Sequence, residues 1–203
     1  MSAAAEFAQA AAADGIELTR DPTFDWLCEQ GHVGLERVAK ARRDPTIGAP
    51  VKAALEVLAA IFVRLKGDLT VLPAARANLV LAPLLCDPAT GTLISLDGPE
   101  HFTSHRLAAL ELYPADAPLG FDRDEHMALC RELAPRTDAI GRGLAAKGFG
   151  FGGVPRERAY HDALRDLAVP AMGHAPLVRV TVLDDDPEGA YAAWDRGRPS
   201  PTR

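Results

Sequence analysis

Leu93-Ile94-Ser95-Leu96-Asp97-Gly98-Pro99-Glu100-His101 is the stretch that decides how this chain is read. Thr92–Leu96 is short, apolar and β-compatible. It follows the turn signal Asp87-Pro88-Ala89-Thr90-Gly91, and before that Asn78–Leu85 is apolar again. The pattern predicts a β-hairpin over Asn78–Leu96 with a five-residue loop. Asp97 stands at the end of the return strand, where a carboxylate can face a cleft, and Gly98 lets backbone approach a ligand. Glu100 and His101 follow at once. Two acids and an imidazole at one edge suit a divalent cation with a water to activate, so Asp97, Glu100 and His101 are the candidate metal ligands. The alternative is that Asp97-Gly98 is only a turn.

Helices are expected on both sides of the hairpin. Residues 2–13 form an Ala-rich helix closed by Asp14-Gly15. Asp21-Pro22 predicts a short helix over Thr23–Gln30, broken by Gly31, with another over Val33–Arg43. Pro50–Lys66 carries an apolar stripe at 51, 54, 55, 58, 61, 62 and 65. Leu69–Leu72 reads as β-compatible. Downstream, helices are expected over 103–113, Asp122–Ala134 and Thr137–Lys147, the last two separated by Pro135. Another runs from Pro155 to about Val169. Leu177–Leu183 is a strand, and Glu188–Trp194 a last short helix. The fold class is therefore α/β: a small mixed sheet flanked by helices, with a helical N-terminal region over 1–67. The α/β domain spans 68–203 and holds a helical insertion at about 104–154.

The bulk numbers narrow the function classes. The 203 residues are 48% hydrophobic and 25% charged, an ordinary globular balance with length enough for a core. A net charge of −6 speaks against a non-specific nucleic-acid coat or a basic membrane-surface protein. Cys28, Cys86 and Cys130 show no CxxC spacing and suit buried small side chains in a reducing, cytoplasmic setting. No secretory signal is expected, and the longest apolar run, Val51–Leu65, is interrupted by charges and too short to span a bilayer.

Strand–Asp97-Gly98-x-x-His101-Phe102 resembles the core of the restriction-endonuclease-like superfamily, closest to its small very-short-patch-repair-type members. Those carry a later helix with an Asp-x-x-Arg-Asp pattern, then a Gly, then a strand with an Arg. Here the counterparts are Asp162-Ala163-Leu164-Arg165-Asp166, Gly173 and Leu177-Val178-Arg179-Val180. The resemblance covers roughly 78–101 and 155–183. It implies a metal-dependent phosphodiesterase acting on nucleic acid: Asp97 holding Mg²⁺, Glu100 a second ligand or base, His101 an acid or base, and Arg165 meeting phosphate. The chain departs from the family at Ser95, where an acid is usual, and in the length of 104–154. Ser95 and the net acidity motivate an alternative, a non-catalytic relative that binds nucleic acid, or a protein partner through the helical N-terminal region.

Other constellations compete. His101 and His105 share a face if a helix starts near Glu100, and with His126 or His161 they could hold Zn²⁺ or Fe²⁺. Lys147, Arg156 and Arg158 flank the glycine-rich loop 148–153 and could cradle a phosphate at a helix start. Arg37, Lys40, Arg42 and Arg43 form a basic helix face, interleaved with acids.

Overall fold

The computed structural model describes residues 2–72 and 84–197. The expected strand Asn78–Leu85 falls mostly outside these residues; β2 (Leu85–Asp87) shares only Leu85 with it, takes in Asp87 of the expected turn, and is antiparallel to β3 (Thr92–Asp97). A two-residue β1 (Thr19–Arg20) adds to the far side of β2, and β4 (Val178–Thr181) pairs with β3 in parallel. The order β1-β2-β3-β4 is a mixed sheet, and with helices around it the fold is α/β.

Among the described residues, seven α-helices surround the sheet: α1 (Ala3–Ala13), α2 (Gly31–Arg42), α3 (Pro45–Arg64), α4 (Ser104–Leu110), α5 (Arg123–Thr137), α6 (Val154–Ala171) and α7 (Pro187–Gly197). Strand alternation sorts them into two layers. Ile94 and Val180 point to one face, where they pack with Phe7 of α1 and Tyr191 of α7. Leu93 points to the other face and joins a larger core built from α2, α3, α4, α5 and α6. The N-terminal helices thus contribute to both cores, α1 to the one and α2 and α3 to the other. At twenty residues, α3 is longer than its apolar run suggested, and it is long and apolar enough to cross a membrane on length and composition alone. In this fold its Val51, Leu58, Ile61 and Phe62 are buried, and it packs against α2, α4 and α6.

Several local expectations are corrected. Thr23–Gln30 forms no α-helix; Asp21 sits at φ 55°, not in the extended conformation of an N-cap, and the segment runs as turns. Gly31 does not break a helix but opens α2, at φ 57°. Leu69–Leu72 is a turn, fixed by the Asp68 carboxylate accepting from the Thr70 amide and hydroxyl. α5 runs through Pro135, and 138–147 is a series of turns rather than a helix. A proline so near the end of a helix forfeits one late hydrogen bond. Thr137 then closes α5 by donating to the carbonyls of Leu133 and Phe102. α3 also starts earlier than expected, at Pro45, because Asp44 caps it by accepting from the Thr46 amide.

Candidate functional site

Register brings the charged residues together. Ser95 and Asp97 are two apart on β3 and so share a face. The parallel pairing sets Arg179 across from Ser95 and next to Asp97 on the same side. On α6, which packs over that face, Asp162 and Asp166 are one turn apart, with Arg165 between them in sequence. α4 adds Arg106, and the segment after it adds Tyr113. Three carboxylates and three guanidiniums therefore meet in the core, all buried.

Arg179 is the hub. Its Nη1 donates to both Asp97 oxygens at 2.8 and 2.7 Å, its Nε to Asp166 Oδ1 at 2.7 Å, and its Nη2 to the Asp162 carbonyl and Oδ1 at 3.1 and 3.3 Å. A guanidinium has five N–H donors, and all five are used. Asp97 also accepts from Ser95 Oγ at 3.0 Å. Asp166 Oδ2 accepts from Arg106 Nη2 at 2.6 Å and from the Tyr113 hydroxyl at 2.7 Å. The ring of Phe121 lies against both guanidiniums, 5.7 Å from Arg179 and 5.9 Å from Arg106. Burial pushes the carboxyls of Asp162 and Asp166 up. For Asp162 the opposing charges of His101, Arg179 and Arg165 win and hold it well below its ordinary value; for Asp166, Arg179 and Arg106 win and hold it below its ordinary value. Burial also raises Tyr113, which keeps its proton and can donate.

Beside the hub a cleft of about 490 Å³ opens where β3 ends. Ser95, Gly98, Glu100, His101, Arg165 and Asp185 are in its lining. Pro99–His101 forms a 3-10 turn, and Thr103 caps α4 by accepting from the Arg106 amide. His101 Nδ1 lies 2.8 Å from Asp162 Oδ2, and Arg165 Nη2 donates to Asp162 Oδ1 at 2.8 Å. One carboxylate thus ties both residues to the cleft floor. His101 Nε2 is 4.0 Å from Glu100 Oε1. Glu100 folds back over Gly98, where a Cβ would meet its carboxylate at 2.6 Å. Arg165 donates through Nε to the His161 carbonyl, while its Nη1 is buried with no acceptor.

Of the residues singled out in the sequence, Glu100, His101 and Arg165 share this cleft. Asp97 lies beneath it, fully buried and turned into the hub. Among the described residues no three His, Cys, Asp or Glu side chains are grouped to hold a metal ion. The imidazoles are dispersed. A helix from Glu100 that would align His101 with His105 does not form, since α4 starts at Ser104. His126 is stacked on Phe102 and Phe121, and burial brings it down to about 4. His161 lies in α6 beside Tyr160, and burial, helped by Arg165, brings it down to about 3.

The glycine-loop candidates are placed elsewhere. Arg156 donates to the carbonyls of Phe149 and Phe151 and so closes the loop itself. Arg158 donates to the Glu100 carbonyl at 3.3 Å, and Lys147 is exposed. On α2, Lys40 pairs with Glu36 and Arg42 with Asp25. The sequence reading did not single out Arg106, Tyr113 or Arg179 as site residues. For Arg179 a signal existed: an arginine inside the β-branched run Val178-Arg179-Val180.

No protein-family model, curated protein or solved structure matches the chain.

Proposed function

We propose that this chain is a non-catalytic relative of the nuclease-like fold, a nucleic-acid-binding protein whose ligand site is the cleft at the end of β3. The observation that carries the reading is the saturation of Arg179 by Asp97, Asp162 and Asp166. A hydrated Mg²⁺ ion needs carboxylate oxygens it can reach. Here Asp97 is buried and already accepts three hydrogen bonds. Metal binding at Asp97 would require Arg179 to leave, stranding a guanidinium among buried groups. The resemblance of the strand, helix and strand order supports nucleic acid as the ligand class. The cleft also keeps Glu100, His101 and Arg165 together, with Arg165 lacking one acceptor.

The test is fluorescence anisotropy with single-stranded and duplex oligonucleotides, run beside a cleavage assay with Mg²⁺ and Mn²⁺. The expected outcome is binding that needs no metal and yields no cleaved product. Metal-dependent cleavage that disappears in Asp97→Asn would overturn the reading in favour of a phosphodiesterase working through Asp97.

A further inference from the structure

α3 keeps one long side open. It is apolar enough to cross a membrane, yet only 33% of its most apolar stretch is buried in the fold. A helix apolar on every side is ordinarily enclosed, and a side that faces water is ordinarily charged. Here Ile47, Val51, Ala54, Leu58, Ile61 and Phe62 face the core. Along the open side the charges are Lys52, Glu56 and Arg64, set among Ala49, Ala53, Ala60 and Val63, the last 67% exposed.

That side carries a helix-pairing repeat. Pro45, Ala49, Lys52, Glu56, Ala59 and Val63 follow one another at alternating spacings of four and three, the repeat along which two helices meet in a seam. All are exposed except Ala59, which is half-buried. Laid antiparallel on a copy of itself, with the two-fold axis at the level of Ala54, the seam closes in layers. Pro45 of one protomer meets Val63 of its partner, Ala49 meets Ala59, and Lys52 meets Glu56; the same layers then recur in reverse. The face is self-complementary, as an interface about a two-fold axis must be. Alanine against alanine lets the helix axes approach to about 8 Å, the near end of the usual range. The two central layers each set an ammonium against a carboxylate. Among the described residues neither Lys52 nor Glu56 has an ion-pair partner within the protomer. Lys followed by Glu four residues on is also the weaker order for pairing along one helix. Parallel alignment would instead set Lys52 on Lys52 and Glu56 on Glu56.

We propose that the open face of α3 is a self-association surface, which pairs antiparallel with α3 of a second copy through Lys52–Glu56 layers repeated about the two-fold axis. A lipid bilayer suits the same face less well. It would receive Lys52 and Glu56 near the middle of the helix, where a charge is most costly. A second copy answers each of them with its opposite. The seam covers about 27 Å of helix, so the contact is small and the dimer depends on concentration. None of the residues lining the cleft at the end of β3 belongs to α3, so this face and that cleft stand or fall separately.

The experiment is sedimentation velocity of the full chain across a concentration series. The wild type is expected to shift from monomer toward dimer as the concentration rises to about 1 mM. Lys52→Glu and Glu56→Lys each place like charges in both central layers and should weaken the dimer more than about tenfold. An equimolar mixture of the two variants should restore it, because one protomer then brings two acids and the other two bases. Both side chains are exposed, so both variants are expected to fold, which circular dichroism checks. A wild type still monomeric at about 1 mM, single variants that associate as the wild type does, or a mixture that stays monomeric would overturn the inference. Monomeric protein that cosediments with vesicles of phosphatidylcholine and phosphatidylserine, and no longer does so in Val63→Glu, would assign the face to a bilayer and overturn it as well.

Discussion

Replacing Arg179 with Met keeps most of the side-chain length and removes the charge on which three carboxylates depend. Asp97 would keep the Ser95 hydroxyl, with the His101 imidazole 4.0 Å away. Asp166 would keep Arg106 and Tyr113, and Asp162 would keep Arg165 and His101. Removing one partner of a buried ion pair costs about 3–5 kcal/mol, because the other charge is left without compensation. Asp97 is the most exposed to this loss, and two further carboxylates lose a donor, so the upper end, about 5 kcal/mol, is expected. That is a large share of the stability of an ordinary domain, about 5–15 kcal/mol. The assay is urea unfolding followed by circular dichroism, at pH 7 and again near pH 4.5. The sign of the pH effect follows from the carboxyls. In the wild type Asp162 and Asp166 are held below their ordinary values, so their contribution is present above about pH 4 and lost as pH falls through the folded values. In Arg179→Met the carboxyls of Asp162 and Asp166 lose a cation that holds them down and take up protons more readily, which relieves the uncompensated charge. The deficit of the variant should therefore shrink as pH falls. A variant within about 1 kcal/mol of wild type at pH 7, with no change in the gap at lower pH, would refute the structural role given to Arg179.

Three further outcomes follow from the same packing. His126 and His161 are held neutral by burial, down to about 4 and about 3. Their folded values lie below the unfolded one, so their contribution is complete above about pH 6.5 and falls by about 1.4 kcal/mol per pH unit for each as pH drops toward 4; urea midpoints across that range should fall, and His126→Leu should flatten the slope. Gly31→Ala places a Cβ against the Tyr160 hydroxyl at a residue with φ 57°, and the combined strain and overpacking should cost about 2–4 kcal/mol in a thermal melt. Tyr113→Phe removes a hydroxyl that donates to Asp166 and accepts from Arg106, and should cost about 1–3 kcal/mol without altering ligand binding.

β3, β4 and the turn before β3 were legible because their signals are local, whereas the two-residue β1 left none. The apolar run ending at Asp97 and the Asp87–Gly91 turn encode β2 and β3, and the spacing of α6 encodes its long buried face. The ion-pair hub was not legible in the same way. Arg106, Tyr113, Asp166 and Arg179 lie on four separate segments, and only the parallel register of β3 with β4 brings Arg179 against Asp97. An acid at the end of a strand reads as a metal ligand until the cation that already occupies it is located. Local chemistry also misled at Asp21, which follows β1 at φ 55° with its amide donating to the Leu84 carbonyl instead of capping a helix, and at Pro135, where a late position in α5 makes the missing donor cheap. Arg179 could have been suspected, since an arginine amid β-branched residues on a core strand needs a buried partner.

The measurement that tests the central claim most directly is anomalous scattering from crystals soaked in Mn²⁺. The account predicts that Arg179 keeps both Asp97 oxygens and that no anomalous peak appears at that carboxylate. A Mn²⁺ ion bound to Asp97, with the Arg179 guanidinium displaced, would contradict it.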